Sequence, residues 1–413
     1  MKPLVFALLV LAPLAGCLAD DPEVQEAAAP GTDLDVPGAL TDLRLEVADL
    51  VGSGSTVSLS TISVASLTGS DPDPGAEEDL SFVLVPATTV DNGTWARIDD
   101  VPVAMPDIDL YEGHVEGDET RLVRLAVTDD WARGLVLPLD QVVGPGHLVS
   151  DGAGYQLIRM GLEGNLPPGE WPESSGRGGA SDGAWLPAEE RAMSQPVAFD
   201  GPGMVYDRDC LELVPPYAAW GPLASGGTQV VDIIMDADAE AYHRLGDDTL
   251  PILAAMLHEV DGIYQQQVDV RLRLAGLHAH TEMEHFPDPA AEPPLGVLAD
   301  YWNQRDDERD VVNLVTGRES SFAMANCIGG AGHPDVGYTF TPLNWAEDYT
   351  VFHMTALAHE LGHIFGAHHH YGNHVEQHMA SIMIQGYTPG ILPAFSTLSK
   401  SVIRGWIENE VPQ

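Results

Sequence analysis

Residues 359–369 read HELGHIFGAHH, and no other stretch of the chain restricts its fold as tightly. His359 and His363 are four apart, so on a helix both imidazoles leave the same face about one turn from each other. Glu360 lies between them, where a carboxylate can reach a water held on a shared ion. Gly366 adopts positive φ at little steric cost, which lets the chain stop being helical and turn back. Three residues later His369 can approach the same point from outside the helix. Three neutral imidazoles with one open position suit Zn²⁺. Spacing alone leaves His368 open as the third ligand; the register set by Gly366 favours His369.

The neighbouring residues read differently. His368 and His370 flank His369 and point away from it on extended backbone, while His353, His374 and His378 read as solvated or supporting groups. Glu376 follows His363 too closely to lie on a separate helix and is discounted as a ligand. Downstream, Met383 sits in Ser381-Ile382-Met383, followed by a Pro-Gly turn and then FSTLSKSVIRGWIE, which reads as a closing helix.

Ahead of this segment the pattern of the chain changes twice. Residues 41–165 carry short period-two runs such as STVSLSTISVASL, LSFVLVP and TRLVRLAVT, broken by Gly, Pro, Asp and Asn, and read as an all-β domain. Residues 166–202 are dense in Pro, Gly and Ser and read as a linker, with Arg177 and Arg191 as exposed processing points. Residues 203–413 then alternate strands with helices: a strand over 228–238, a helix over 239–266 with Ile252, Met256, Val260 and Ile263 on one face, and a strand over 268–277. A helix over 294–305, a strand over 310–317, an irregular edge strand within 321–340 and the histidine helix from near Thr350 follow. That order predicts an α/β (α+β) domain with a mixed sheet.

The N-terminus predicts where the chain goes. MKPLVFALLVLAPLAGC has one positive charge, an apolar run too short to span a bilayer, and small residues before a cysteine, so residues 1–16 read as a signal peptide. Leu14-Ala15-Gly16-Cys17 resembles a prokaryotic lipobox, which implies lipid on Cys17 and places the protein on the outer face of the cell membrane. Residues 17–40 read as a flexible acidic tether. Cleavage at Arg177 or Arg191 would then separate the anchored part from residues 203–413. The chain carries 18 Lys and Arg against 63 Asp and Glu, a formal net charge of -45. Such a field repels phosphate backbones and anionic headgroups, which argues against nucleic acid and against membrane contact other than the lipid. With Cys17 lipidated, Cys210 and Cys327 remain, and outside the cytoplasm such a pair favours a disulfide. A free Cys210 serving as an inhibitory zinc ligand is the alternative.

HExxHxxGxxH followed by Met383 resembles the metzincin zinc signature with its Met-turn. The order of elements from 228 to 409 is closest to the adamalysin, or reprolysin-like, branch, and residues 111–136 resemble the core of that group's propeptide. The resemblance implies a zymogen-type metalloprotease with one catalytic Zn²⁺ on His359, His363 and His369, Glu360 as general base, Gly366 and Met383 as structural support, and a polypeptide substrate. His370 stands where that family has aspartate, and the propeptide cysteine switch has no clear counterpart. Calcium is neither indicated nor excluded by the residues. A noncatalytic lipoprotein with a stabilising zinc site, and a zinc amidase acting on cell-wall peptides, are the competing expectations.

Overall fold

The computed structural model describes residues 55–66, 77–137, 146–150, 155–159, 228–282, 286, 295–318, 323–343, 350–369, 381–383 and 394–411. The signal peptide, the tether with Cys17, the linker, Cys210, His370, His374, Glu376 and His378 lie outside them. The first nine strands are β1 (Ser55–Ser66), β2 (Glu77–Pro86), β3 (Val90–Ile98), β4 (Val101–Val103), β5 (Asp109–Val115), β6 (Asp118–Val127), β7 (Ala132–Leu137), β8 (Gly146–Ser150) and β9 (Tyr155–Arg159). After them come β10 (Gln229–Ala237), α1 (Ala239–Leu245), α2 (Thr249–Val268), β11 (Val270–Ala279), α3 (Leu295–Trp302), β12 (Val311–Thr316), β13 (Met324–Ala325), β14 (Tyr338–Pro342), α4 (Thr350–Ile364) and α5 (Thr397–Glu410). The single helix expected over 239–266 is two helices, because Gly246 ends α1 and a short 3-10 turn intervenes before α2.

Two sheets result. One is a closed barrel in the order β1-β2-β5-β6-β7-β8-β9, with β9 pairing back onto β1. The other is seven-stranded, in the order β13-β14-β12-β10-β11-β3-β4, parallel at its centre with antiparallel strands at both ends. Its last two strands come from the region read as the β domain: β3 pairs with β11 in parallel, and Asp99 and Asp100 at positive φ turn the chain into β4.

On one face of this sheet, Val231, Ile233 and Met235 pack against α2, α4 and α5; on the other, Ile234, Val312 and Leu314 pack against α3. Of the apolar stripe that spacing marks on α2, Met256, Val260 and Ile263 are fully buried and Ile252 is partly buried against the same core. The opposite side of α2 is buried too, beneath the barrel, although it is polar. Arg133 of β7 makes two 2.8 Å hydrogen bonds to Glu259, and Arg124 of β6 lies 3.8 Å from Asp261. His258 is bound on both ring nitrogens, to the Thr89 hydroxyl and the Tyr111 carbonyl, each at 2.8 Å. These charges would lie uncompensated in an apolar surface without the barrel, and breaking a buried pair costs about 3–5 kcal/mol.

Two outcomes follow from this interface. Limited proteolysis within 166–202 should leave two fragments that co-elute in gel filtration and separate only in denaturant; fragments that part in native buffer would show that the buried polar contacts do not hold the halves together. Burial, assisted by the nearby Arg124 charge, pushes His258 down to about 3, so the native state holds the neutral ring. Its contribution to stability is complete above the unfolded value near 6.5 and is lost as the pH falls from there towards about 3. Urea midpoints should therefore fall across that window, and the difference between the wild type and His258→Gln should carry the fall.

Candidate active site

The apolar residues Met354, Leu357, Leu361 and Ile364 recur at helical spacing along α4 and are all fully buried. They fix the helix on the sheet and leave His359 and His363 on a neighbouring face. Tyr264 of α2 holds the helix from below, its hydroxyl donating to the Ala358 carbonyl at 2.8 Å while its ring meets Phe365 edge-on at 5.4 Å.

The helix ends as its glycine predicts. Gly366 has φ +88°, its N–H donates to the His363 carbonyl at 2.8 Å, and the Ala367 N–H reaches back to the Gly362 carbonyl at 2.9 Å. This reciprocal pair closes the last turn and reverses the chain. The N–H groups of Gly329 and Ala331 meet the carbonyls of His363 and Ile364, so the loop after β13 satisfies the end of the helix. Past the turn, His369 comes back towards the helix. The Nε2 atoms of His359, His363 and His369 lie 2.9, 3.0 and 3.1 Å from one another. His368 is exposed and outside this group, and buried His353 is also outside it, so the imidazole that the turn brings to the two helical rings is that of His369.

The protons on two of these rings are fixed by the backbone. Nδ1 of His359 lies 2.5 Å from the Ile382 carbonyl, and Nδ1 of His363 lies 2.7 Å from the Ala367 carbonyl. A carbonyl only accepts, so both Nδ1 atoms carry hydrogen, and in the neutral rings both Nε2 atoms present lone pairs. Burial, opposed in part by the Ile382 carbonyl, holds His359 at about 4; burial and then the charge of His359 hold His363 well below its ordinary value. Both rings are therefore neutral at pH 7. Two lone pairs 3.1 Å apart cannot hydrogen-bond to each other. A cation between them relieves that repulsion, and tetrahedral bonds of about 2.0–2.1 Å place nitrogens roughly 3.3 Å apart, so the donor set fits one Zn²⁺.

Glu360 is buried beside His359 on the same helix. Met383 is fully buried beneath α4, so close that a Cβ on Gly362 would meet its sulfur at 2.5 Å. Cys327 is disulfide-bonded, and the cysteine it joins lies outside the described residues. A second group able to hold a metal, Asp236 with His278 and His280, was not singled out in the sequence, although an HxH pair at the end of a strand was its visible signal.

Residues 227–382 match the family model Reprolysin_5, described as Metallo-peptidase family M12. That match supports a metzincin-like M12 catalytic domain over these residues, and with it a zinc metallopeptidase. No curated protein matches the chain. A solved structure described as "Structure of a chaperone-substrate complex" aligns with a TM-score of 0.34 and 12% identity, over 46% of this chain and 36% of that one. The chain spans only that 36% of the other's length, and the likeness carries no argument.

The geometry predicts how the turn supports the site. Gly366→Val forces a branched side chain into positive φ and displaces the Ala367 carbonyl from His363. Zinc affinity, measured by competition with a chromophoric chelator, should fall about 10- to 100-fold; unchanged affinity would show that the turn does not orient the ring.

Proposed function

We propose that the chain is an exported zinc-dependent endopeptidase whose active site is built on His359, His363, His369 and Glu360. The observation that carries this reading is the pair of Nδ1–H groups locked to backbone carbonyls, which aims two lone pairs at the third imidazole. A bound zinc ion supplies Lewis acidity and a lowered water pKa. Glu360 takes a proton from the attacking water at a carboxylate oxygen and returns it to the leaving amine. His359 and His363 stay neutral and fixed because Ile382 and Ala367 hold their protons on Nδ1. Met383 closes the floor under the helix and keeps Ile382 in place.

Substrate positioning follows from the sheet. β13 ends the strand order and pairs with β14 on one side, and the loop that continues it is bonded to the end of α4. An extended polypeptide adding to that edge by backbone pairing runs past the three imidazoles. On this reading Cys17 is lipidated and holds the enzyme at the outer face of the membrane, and the barrel stays with the catalytic sheet after any cleavage of the linker. Among the described residues no helix is long and apolar enough to cross a membrane.

The test uses the full chain on an unfolded, dye-labelled protein. Glu360→Gln should retain zinc and lose cleavage by about 10²-fold or more, whereas His363→Asn should lose both. Wild type that holds zinc but cleaves neither unfolded protein nor cell-wall peptides would contradict the proposal and favour a stabilising site.

A further inference from the structure

Asp236 near the end of β10, His278 near the end of β11 and His280 just past it are all fully buried, and their donor atoms lie within 4.8 Å of one another. In the parallel register Asp236 sits opposite His278, and His280 is two residues on, so all three share one face of the sheet. That face is the one covered by α3, opposite to the face that carries α4. A bulge at Ala275 is what puts them there. Leu272 and Leu274 before it and Leu277 and Ala279 after it pack on the α4 side, so the extra residue shifts the alternation by one and sends both imidazoles to the α3 side.

The protons on His278 can be assigned from its surroundings. Tyr301 donates its hydroxyl hydrogen to Asp100 at 2.8 Å, so towards His278 Nε2, 3.3 Å away, its oxygen can only accept. Asp100 itself lies 3.4 Å from the same Nε2 and is held by Arg305. Nε2 therefore carries hydrogen, and Nδ1 of the neutral ring presents a lone pair to Asp236 Oδ1 at 2.9 Å. Two electron-rich atoms at that distance need a second proton or a cation between them. His280 Nε2 stands 3.3 Å from the same oxygen and 3.4 Å from the other, both long for a charge-assisted hydrogen bond of about 2.7–2.9 Å, while the nearer distance is close to the spacing of donors around one ion. The other carboxylate oxygen is occupied by the Trp302 indole N–H at 2.9 Å, which fixes the orientation of Asp236. Phe286 and Trp302 close against the imidazoles edge-on, at 4.9 Å from His280 and 5.6 Å from His278. A carboxylate behind a histidine, as Asp100 stands behind His278, is the usual outer support of a metal-ligating imidazole.

We propose that Asp236, His278 and His280 form a second divalent-metal site of the zinc class, structural in role, which ties β10, β11 and α3 to the β3–β4 hairpin through Asp100. Two imidazoles and one carboxylate are donors for a borderline ion rather than for calcium, which takes oxygen alone. Three protein donors leave the fourth vertex of a tetrahedral ion to a water, and the burial of all three keeps that vertex from a substrate, which makes the role structural rather than catalytic. The ion also compensates a carboxylate held wholly out of water.

Full-length protein, expressed with zinc and without a histidine tag, tests this by metal content after gel filtration. His363→Asn combined with His369→Asn removes the first site, so the result does not depend on the proposed peptidase activity. This chain should retain about one zinc equivalent, and wild type about two. Adding Asp236→Asn and His280→Gln should abolish the remaining equivalent. In the first-site variant, 1,10-phenanthroline, which takes zinc-class ions and spares calcium, should lower Tm by about 5 °C or more. If the first-site variant is folded, holds no zinc after equilibration with the metal and has a Tm that the chelator does not move, the proposal is wrong and His278 is an imidazolium paired with Asp236. Should the fourfold variant fail to fold, the first-site variant alone decides the question.

Discussion

The placement of two hydrogens governs the candidate active site. The Ile382 and Ala367 carbonyls hold protons on the Nδ1 atoms of His359 and His363, and this forces both lone pairs into a buried space that His369 completes. Each carbonyl arrives from a different device. Ala367 is delivered by the helix-ending turn at Gly366, and Ile382 by the segment that seats Met383 under Gly362. The turn and the methionine segment are thus the supports of the two helical imidazoles. Without either, an imidazole would be free to rotate its lone pair away.

The surroundings explain why these groups can be buried at all. α4 is fixed on its apolar side by the sheet, on its underside by Tyr264, and at its end by the loop that follows β13. Tyr264 belongs to α2, and α2 is in turn clamped between the sheet and the barrel by charged and polar contacts at Glu259, His258 and Asp261. The barrel reaches the histidines only through α2, yet it is part of what holds α4 in position.

How much of this could be read from the chain depends on the range of the interaction. HExxHxxGxxH is local, and one helix, one turn and one returning residue specify its geometry, so His359, His363, His369 and the positive φ of Gly366 were legible. Met383 was legible because the motif told where to look. The attachment of β3 and β4 to the catalytic sheet was not, since a strand's own alternation carries no address for a pairing partner more than a hundred residues away. Glu259, His258 and Asp261 fall off the apolar stripe that spacing marks on α2, and their burial depends on distant partners, Arg133, Arg124, Thr89 and the Tyr111 carbonyl, which helical periodicity does not reveal. His278 and His280 were hidden by the bulge at Ala275, which changes the face of the residues after it and is invisible to a period-two reading.

A crystal structure of the full chain grown with zinc, with anomalous differences measured across the zinc edge, addresses the main claim directly. The expected result is an anomalous peak bounded by Nε2 of His359, His363 and His369, with both helical rings still bonded through Nδ1 to Ile382 and Ala367. Density without such a peak, or rings turned so that Nδ1 faces the ion, would contradict it.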